Sequence, residues 1–384
     1  MIALIYLDNA ATAPPTIPEI NSPLLDYMTY HFGNPDSPHF AGEDASRYMN
    51  HARSQVARLL HTNYRNVYFT SGGTESNNIA IYHAATLAAK YGKKHIITSL
   101  SEHASVLEPI RHLQDQLGFR VDFLTPGRKG YISAEQIRDA IRPDTGFVSL
   151  MYVNNETGAV TPVEEIGKML AEKRIAFHVD CVQAAGFYDL NPAAMCATYL
   201  SVSAHKIHGP MGSGCIYTAH PDIGLYGIMY GGHQEGGARP GTPNVPGIIG
   251  FGLAAQYAME NRERNEKIIR YNAALLSGLL IKIPGCHPNF NLAFMCPRVM
   301  SFRFDDVDAD TLVAALDIRG VCVSTGAACN SHAVEPSSVL LASGLDFAEA
   351  ASTIRVSLSA LNTEYEMRKA AEIIREAVTF LRSR

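Results

Sequence analysis

Long hydrophobic runs, surplus basic charge and paired cysteine motifs are all missing from this 384-residue sequence. The most apolar stretch, residues 245–259, contains Pro246 and three glycines and is shorter than the ~20 apolar residues that a membrane-spanning helix needs. The formal net charge is −5 and the pI is near 6.3, so no basic field is available to attract nucleic acid or an anionic membrane. We therefore expect a soluble protein that binds neither nucleic acid nor membranes.

The cysteines also exclude two classes of protein. All seven are scattered without CxxC or mixed Cys/His spacing, which argues against a disulfide framework and against a zinc site. His205 and His208 have metal-like spacing, but no carboxylate accompanies them, so we predict no metal. Asp8 interrupts the apolar N-terminus and no basic region precedes it, which disfavours a signal peptide. The sequence predicts a cytoplasmic protein.

The order of apolar runs indicates an α/β fold. A chain of this length usually forms two domains, and with 47% hydrophobic and 18% charged residues it should be compact. Runs of strand character alternate with segments of helical period, which favours a largely parallel sheet. Those runs are NVYFT, HIIT, VDFL, GFVSLMYV, IAFHVD and ATYLSVS. Ligands of such sheets bind beyond the carboxyl ends of the strands, so we expect the site there.

The pattern changes after Gly247. A long helical run continues to about Lys282, shorter strands come next around residues 299–304 and 320–324, and a last helix begins at Thr363. This pattern predicts a second, smaller α+β unit packed against the first.

Lys206 and Asp180 both come directly after predicted strands. Lys206 stands between Ser203 and a glycine-bearing loop, where it is either a solvated lysine or a Schiff-base lysine whose pKa is lowered by burial. Asp180 ends its strand as either a helix N-cap or the ionised partner of a pyridinium nitrogen. Neither residue decides between its alternatives alone.

Three further positions carry similar alternatives. The run FTSGGTESNN places two glycines and Thr74 between a strand and a helix, as a phosphate cradle or a plain N-cap turn, and it lacks the GK[ST] ending of a Walker loop. His103 could lie in the core or stack on a planar cofactor. Cys329 lies in a loop of small and polar residues, as a reactive thiol should, whereas the other cysteines are expected to be small buried hydrophobes.

Ten motifs occur in one order along nearly the whole chain. They are YLDNAAT, FGNPDSPH, FTSGGTESNN, SEHAS, VNNETG, VDCVQA, SAHKIHGP, QEGGARPGT, STGAACNS and IRVSL. In this order the sequence resembles the cysteine desulfurases, and the segment NSHAVEPSSVL is similar to the group with a long cysteine loop. The single motifs are weak signals, but their succession is specific.

The resemblance implies a fold type I transferase that depends on pyridoxal 5'-phosphate. It predicts a large cofactor-binding domain over residues 15–255, and a small domain of residues 1–14 and 256–384 that carries the cysteine loop. It also implies conversion of L-cysteine to L-alanine in a homodimer. Sulfur would pass as a persulfide on Cys329 to an acceptor protein, such as an iron-sulfur scaffold or a tRNA-thiolation carrier. The small and polar residues of 330–338 predict a mobile segment that lets the thiol move between the two. The alternative is an ordered turn that caps a helix beginning near residues 335–338.

The same resemblance assigns roles by position. The catalytic residues would be Lys206, Cys329 and His103. The cofactor would contact Lys206, Gly73, Thr74, Asn154, Asp180, Gln183, Ser203 and His205, and Thr242 would reach the phosphate of the neighbouring subunit. Arg355 and Asn154 would bind the substrate, with the guanidinium of Arg355 on its carboxylate.

Several positions depart from the family pattern. The departures are His233, Pro240, Pro243 and Ala327, together with Ser359 and Ala360, where the family usually has Gly-Arg. Two alternative functions stay open at this level. One is a class V aminotransferase or selenocysteine lyase that does not use Cys329, and the other is a cofactor-binding paralogue that serves as a scaffold for sulfur-transfer partners.

Overall fold

The computed structural model describes residues 4–325 and 336–383. Within them, no helix is long and apolar enough to cross a membrane. The α-helices of the described residues are α1 (Pro18–Tyr30), α2 (Phe40–Leu59), α3 (Gly73–Lys90), α4 (Ala104–Leu117), α5 (Ala134–Ala140), α6 (Val163–Glu172), α7 (Val245–Leu280), α8 (Ala309–Asp317), α9 (Ser338–Ala342), α10 (Phe347–Ala351) and α11 (Glu364–Arg382).

A seven-stranded sheet organises the larger part of the fold. Its strands are β2 (Val67–Thr70), β3 (His95–Ser99), β4 (Arg120–Leu124), β5 (Thr145–Met151), β6 (Ala176–Asp180), β7 (Tyr199–Ser203) and β8 (Gly214–Thr218). The spatial order is β2-β8-β7-β6-β5-β3-β4, and all neighbours are parallel except β8, which is antiparallel to both β2 and β7. The six predicted strands and the largely parallel α/β sheet are confirmed. The sequence pattern does not predict β8, whose residues come after a glycine-rich turn.

Two smaller sheets are formed by the first strand of the chain and by the strands after residue 285. Strand β1 (Ile5–Tyr6) pairs in parallel with β11 (Val321–Cys322), and β10 (Val299–Phe304) lies between antiparallel β9 (Cys286–Pro288) and β12 (Thr353–Ser357). The smaller α+β unit is therefore present. The domain boundary at residues 255 and 256 stays a prediction, and α7 runs through it as a continuous helix.

One apolar core joins these layers. The same buried cluster contains Val179 of the large sheet, Phe302 of the small sheet and Leu276 of α7. The predicted start of the last helix is confirmed, because Thr363 and Glu366 form a capping box at the first turn of α11. The strand ends of the large sheet are thus held on a continuous packed support.

A matched pair of glycine substitutions tests this packing. At Gly167 in α6 an added Cβ would lie 1.7 Å from the carbonyl oxygen of Met195, whereas at Gly278 in α7 it would meet no atom within 4 Å. Gly167→Ala should lower the free energy of unfolding by about 2 kcal/mol or more because the helix must move away. Gly278→Ala should raise it by roughly 0.5–1 kcal/mol because alanine is the better helix former. Urea denaturation measures both, and equal effects of the two substitutions would contradict this packing.

Candidate active site

A cavity of about 370 Å³ opens at the carboxyl ends of the central strands. Nine residues that the sequence predicts for the site line it: Gly73, Thr74, His103, Asp180, Gln183, Ser203, His205, Lys206 and Arg355. They come from separate stretches of the chain, and parallel strands bring most of them to one edge of the sheet. The backbone of Ala10 and Ala11 closes the cavity from the N-terminal segment.

Lys206 lies in a short 3-10 helix, Ala204–Ile207, directly after β7. Its Nζ donates hydrogen bonds to the carbonyl oxygens of Ala10 at 2.5 Å and Ala11 at 2.7 Å. Burial, together with the nearby guanidinium groups of Arg355 and Arg298, lowers the pKa of this amine to about 8. The surface-lysine alternative is therefore excluded by geometry, and a large fraction of the amine is neutral just above neutral pH.

Asp180 ends β6 with its carboxylate almost fully buried. Oδ2 accepts a hydrogen bond from Asn77 Nδ2 at 2.8 Å, and Oδ1 accepts one from the backbone N–H of Val182 at 2.9 Å. Within the described chain no lysine, arginine or histidine forms an ion pair with this carboxylate. A buried carboxylate without a cation is a costly arrangement, which a cationic ligand group in the cavity would relieve. The helix N-cap alternative is wrong, because residues 182–187 form turns and no helix begins there. The bond from Val182 to Oδ1 stabilises a turn, and the role of Asp180 toward a ligand stays a prediction.

The N-terminus of α3 forms the opposite end of the cavity. Gly72 has φ of +151°, which glycine alone adopts readily, and an added Cβ at Gly73 would lie 2.8 Å from Val182 Cγ2. The turn therefore leaves free backbone N–H groups beside Thr74 and Ser203, an arrangement suited to an anion. Burial lowers the pKa of His205 to about 4, so its ring is neutral near pH 7; Nδ1 lies 3.1 Å from Thr12 Oγ1.

Arg355, on β12, brings the small sheet to the cavity. Its Nη2 contacts Asp8 Oδ1 at 2.7 Å and its Nη1 donates to the carbonyl oxygen of Asn155 at 3.1 Å. Its Nε is buried and makes no hydrogen bond within the described chain. Gln183 donates Nε2 to the carbonyl oxygen of Ala10 at 2.8 Å, while its buried Oε1 is likewise unpartnered. Both residues line the cavity, so these unpaired buried atoms are candidates for ligand contacts.

His103 is both the N-cap of α4 and a cavity residue. Its Nδ1 accepts a hydrogen bond from the backbone N–H of Ser105 at 3.1 Å and lies 2.8 Å from Ser105 Oγ. These two contacts fix the ring at the edge of the cavity, where a planar ligand could lie against it. The core alternative for His103 is excluded, because the ring lines the cavity.

Two predicted site residues lie outside the cavity lining. Asn154 donates to the carbonyl oxygen of Ser101 and accepts from the backbone N–H groups of Glu156 and Thr157, so its amide shapes the turn, and Asn155 lines the cavity instead. Thr242 is exposed and does not line the cavity of its own chain. Its predicted role, in the neighbouring subunit, stays a prediction.

Cys329 and residues 330–335 lie outside the described residues, so the predicted motion of that part stays a prediction. The end of the segment fits the alternative of a helix-capping turn, because Ser337 caps α9 and Ser338 begins it. The residues on either side are fixed near the cavity. The backbone of Ser324 pairs with that of Arg355, with N···O distances of 3.2 and 2.6 Å. On the other side, the hydroxyl of Ser337 donates to the carboxyl group of Glu156, whose pKa burial raises to about 7.

Sequence reasoning missed several polar residues at the site. Asn77, Ser105 and Asp8 contact the predicted residues, and Glu102 is fully buried, with a pKa raised by burial and by the Asp180 carboxylate. Each of these residues belongs to one of the ten motifs, so its motif could have marked it as a site residue. Only the fold shows which side chain it contacts. No cluster of three His, Cys, Asp or Glu side chains able to hold a metal occurs among residues 4–325 and 336–383.

Comparison with known proteins agrees with this geometry. The family described as "Aminotransferase class-V" matches residues 5–369. A cysteine desulfurase of Trichormus azollae is 38% identical over 383 residues, which cover 100% of this chain and 94% of the relative.

Solved structures give the same result. A NifS-like protein superposes with a TM-score of 0.91 at 32% identity, covering 98% of this chain and 100% of its own. A structure described as "SspA in complex with cysteine" has a TM-score of 0.81 at 33% identity and covers 93% of this chain and 99% of its own. With one site, one fold and full-length similarity in agreement, the chain belongs to the class-V aminotransferase family and, within it, to the cysteine desulfurases.

Proposed function

We propose that this protein converts L-cysteine to L-alanine and passes the sulfur, as a persulfide on Cys329, to an acceptor protein. The observation that carries the proposal is the enclosed amine of Lys206 in the same cavity as the buried, unpaired carboxylate of Asp180. Pyridoxal 5'-phosphate requires two such groups. One is an amine that is partly neutral near pH 7, and the other is a carboxylate that can pair with the protonated ring nitrogen.

The cavity residues fit this cofactor end to end. Lys206 would hold its aldehyde carbon, Asp180 its ring nitrogen, and the unpartnered oxygen of Gln183 would face a polar ring substituent. The N-terminus of α3 with Gly73, Thr74, Ser203 and His205 would hold the phosphate. The bound cofactor would supply an electron sink for the carbanion formed at the substrate Cα.

Lys206 would be both the anchor and the base. In its neutral form, the amine of Lys206 would take the proton from the substrate Cα, and its pKa of about 8 keeps that form accessible near neutral pH. The carbonyl oxygens of Ala10 and Ala11 hold the nitrogen in place while it does so. Burial therefore lowers the pKa of the Lys206 amine, and its hydrogen bonds set the direction from which it approaches the substrate Cα.

Arg355 would bind the substrate carboxylate. Its Nε makes no hydrogen bond to residues 4–325 or 336–383, and Asp8 and the carbonyl of Asn155 hold the two terminal nitrogens. The guanidinium is therefore oriented before substrate arrives. An oriented guanidinium suits a planar carboxylate better than a lysine would. It would place the substrate Cα next to Lys206.

Cys329 would then accept sulfur. Its thiolate attacks the substrate sulfur, an S–S bond forms while the Cβ–S bond breaks, and the electron pair passes to the carbon side, which gains protons to leave as alanine. The chain position supports this role: Cys329 is five residues after Ser324, a separation of at most about 18 Å, and Ser324 pairs with the cavity residue Arg355. The outer sulfur is then open to a thiol of the acceptor.

Covalent attachment to Lys206 is the first test. Protein supplied with pyridoxal phosphate should turn yellow, and borohydride should fix the cofactor on the peptide that contains Lys206. Lys206→Ala should lose the colour and release no alanine from L-cysteine, because both anchor and base are gone. Exposed Lys267 provides the control, since Lys267→Ala should behave as wild type. Attachment to another lysine would refute the assignment.

A homodimer with a shared phosphate site is the second expectation. Thr242 is exposed on its own chain, and the side chains of Tyr30, Phe32 and Phe40 are 73–80% exposed, a pattern typical of a covered surface. Thr242→Ala should weaken cofactor binding about tenfold or more, through loss of one bond to a charged group. Thr379→Ala, an exposed control on α11, should not.

Mixing two defective proteins tests whether Thr242 acts across the interface. In a mixed dimer of Lys206→Ala and Thr242→Ala chains, the intact lysine would meet the intact threonine of its partner. Wild-type affinity should return at that one site in equilibrium dialysis. A monomer in sedimentation with full cofactor affinity, or no recovery in verified mixed dimers, would contradict the shared site.

A further inference from the structure

Behind the cavity, Arg298 is a buried arginine without an acidic partner. It directly precedes β10, its exposed fraction is 6%, and no carboxylate forms an ion pair with it in the described part of the chain. Its guanidinium donates instead to backbone carbonyl oxygens: Nη1 to Gln183 at 3.4 Å and Ala185 at 3.2 Å, and Nη2 to Lys206 at 3.1 Å. Burying a cation to bind three neutral carbonyls is costly unless their placement matters.

Those carbonyls belong to the two segments that carry the site. Gln183 comes after β6 and Lys206 after β7, and the planar guanidinium connects their backbones. Arg298 itself does not line the cavity that contains both side chains. The backbone N–H of Leu358 donates to the carbonyl oxygen of Arg298 at 2.8 Å, which ties the arginine to the end of β12. Arg298 thus joins the small sheet to the backbone of the cofactor lysine.

A second, smaller cavity is lined by Arg298, Lys206, Ser359 and Ala360. Arg298 reaches it from the segment before β10, and Ala360 reaches it from the segment after β12. The two positions therefore face the same space beside the cofactor lysine.

We propose that Arg298 is a positioning residue that fixes the backbones of Lys206 and Gln183 through their carbonyl oxygens. This inference rests on the proposed role of Lys206. It deepens that role, because Arg298 contacts the backbone of the lysine and its charge acts on the amine as well.

The test measures cofactor attachment to the full-length apo protein, without L-cysteine. The rate of pyridoxal phosphate attachment at Lys206 is followed by absorbance from pH 6 to pH 10, and borohydride trapping identifies the lysine. Only the neutral amine attacks the aldehyde, so the pH midpoint reports its pKa. Removing a nearby positive charge in Arg298→Met should raise that midpoint by about 0.5–1 pH unit.

Two further variants complete the design. Arg298→Met combined with Ala360→Arg should restore the midpoint, because the guanidinium re-enters the same cavity from the neighbouring element. Arg319→Met is the control, since Arg319 also donates to a carbonyl oxygen, that of Ala315, but outside the site. It should leave midpoint and rate unchanged, and circular dichroism should show that each variant is folded.

The outcomes separate this inference from the proposed function. Wild-type protein that attaches no cofactor at Lys206 would contradict the proposed function itself. Attachment in the wild type with an Arg298→Met midpoint equal to that of Arg319→Met would overturn only the role of Arg298. If Arg298→Met does not fold, Arg298→Lys replaces it in the test. Lysine keeps the positive charge but loses the planar guanidinium that donates to two separate carbonyls. The pH midpoint should therefore stay unchanged, and the attachment rate should fall about fivefold. A wild-type rate would overturn the proposal.

Discussion

The enclosed amine of Lys206 depends on groups from every part of the chain. The N-terminal segment supplies the carbonyl oxygens of Ala10 and Ala11, β7 supplies the support beneath the lysine, and the small sheet and its flank supply two guanidinium groups, those of Arg355 and Arg298. Burial and positive charge act in the same direction, since both disfavour the ammonium form. A lysine of this kind is held ready to react with an aldehyde.

The nearby carboxylates are bound by groups other than the Lys206 amine. Asp180 is bound by Asn77 and a backbone N–H, and Asp8 is bound by Arg355, so neither carboxylate forms an ion pair with the lysine in the described chain. An ion pair to Lys206 would raise the pKa of the amine and occupy the carboxylate. Separating the two leaves each free for a different atom of one ligand.

Much of the fold and the site could be predicted from the sequence because the signals lie within short stretches of the chain. Strands such as Ala176–Asp180 and Tyr199–Ser203 are short apolar runs ended by polar residues, and the ten motifs mark the loops at their ends. Contacts between distant segments could not be predicted in this way. The pair Asp8 and Arg355 is separated by 347 positions, and Asn154 differs from its neighbour Asn155 only in which side chain the turn directs inwards. The strand Gly214–Thr218 could not be predicted in this way because it begins with glycine directly after a glycine-rich turn.

Sulfur transfer through Cys329 is the central claim, and mass spectrometry tests it most directly. The cofactor-loaded protein is exposed briefly to L-cysteine without reductant, alkylated and digested. The account predicts one extra sulfur atom on the peptide that contains Cys329, and none on that peptide in Lys206→Ala. Alanine release with no added sulfur on Cys329, and the same release from Cys329→Ala, would contradict the account.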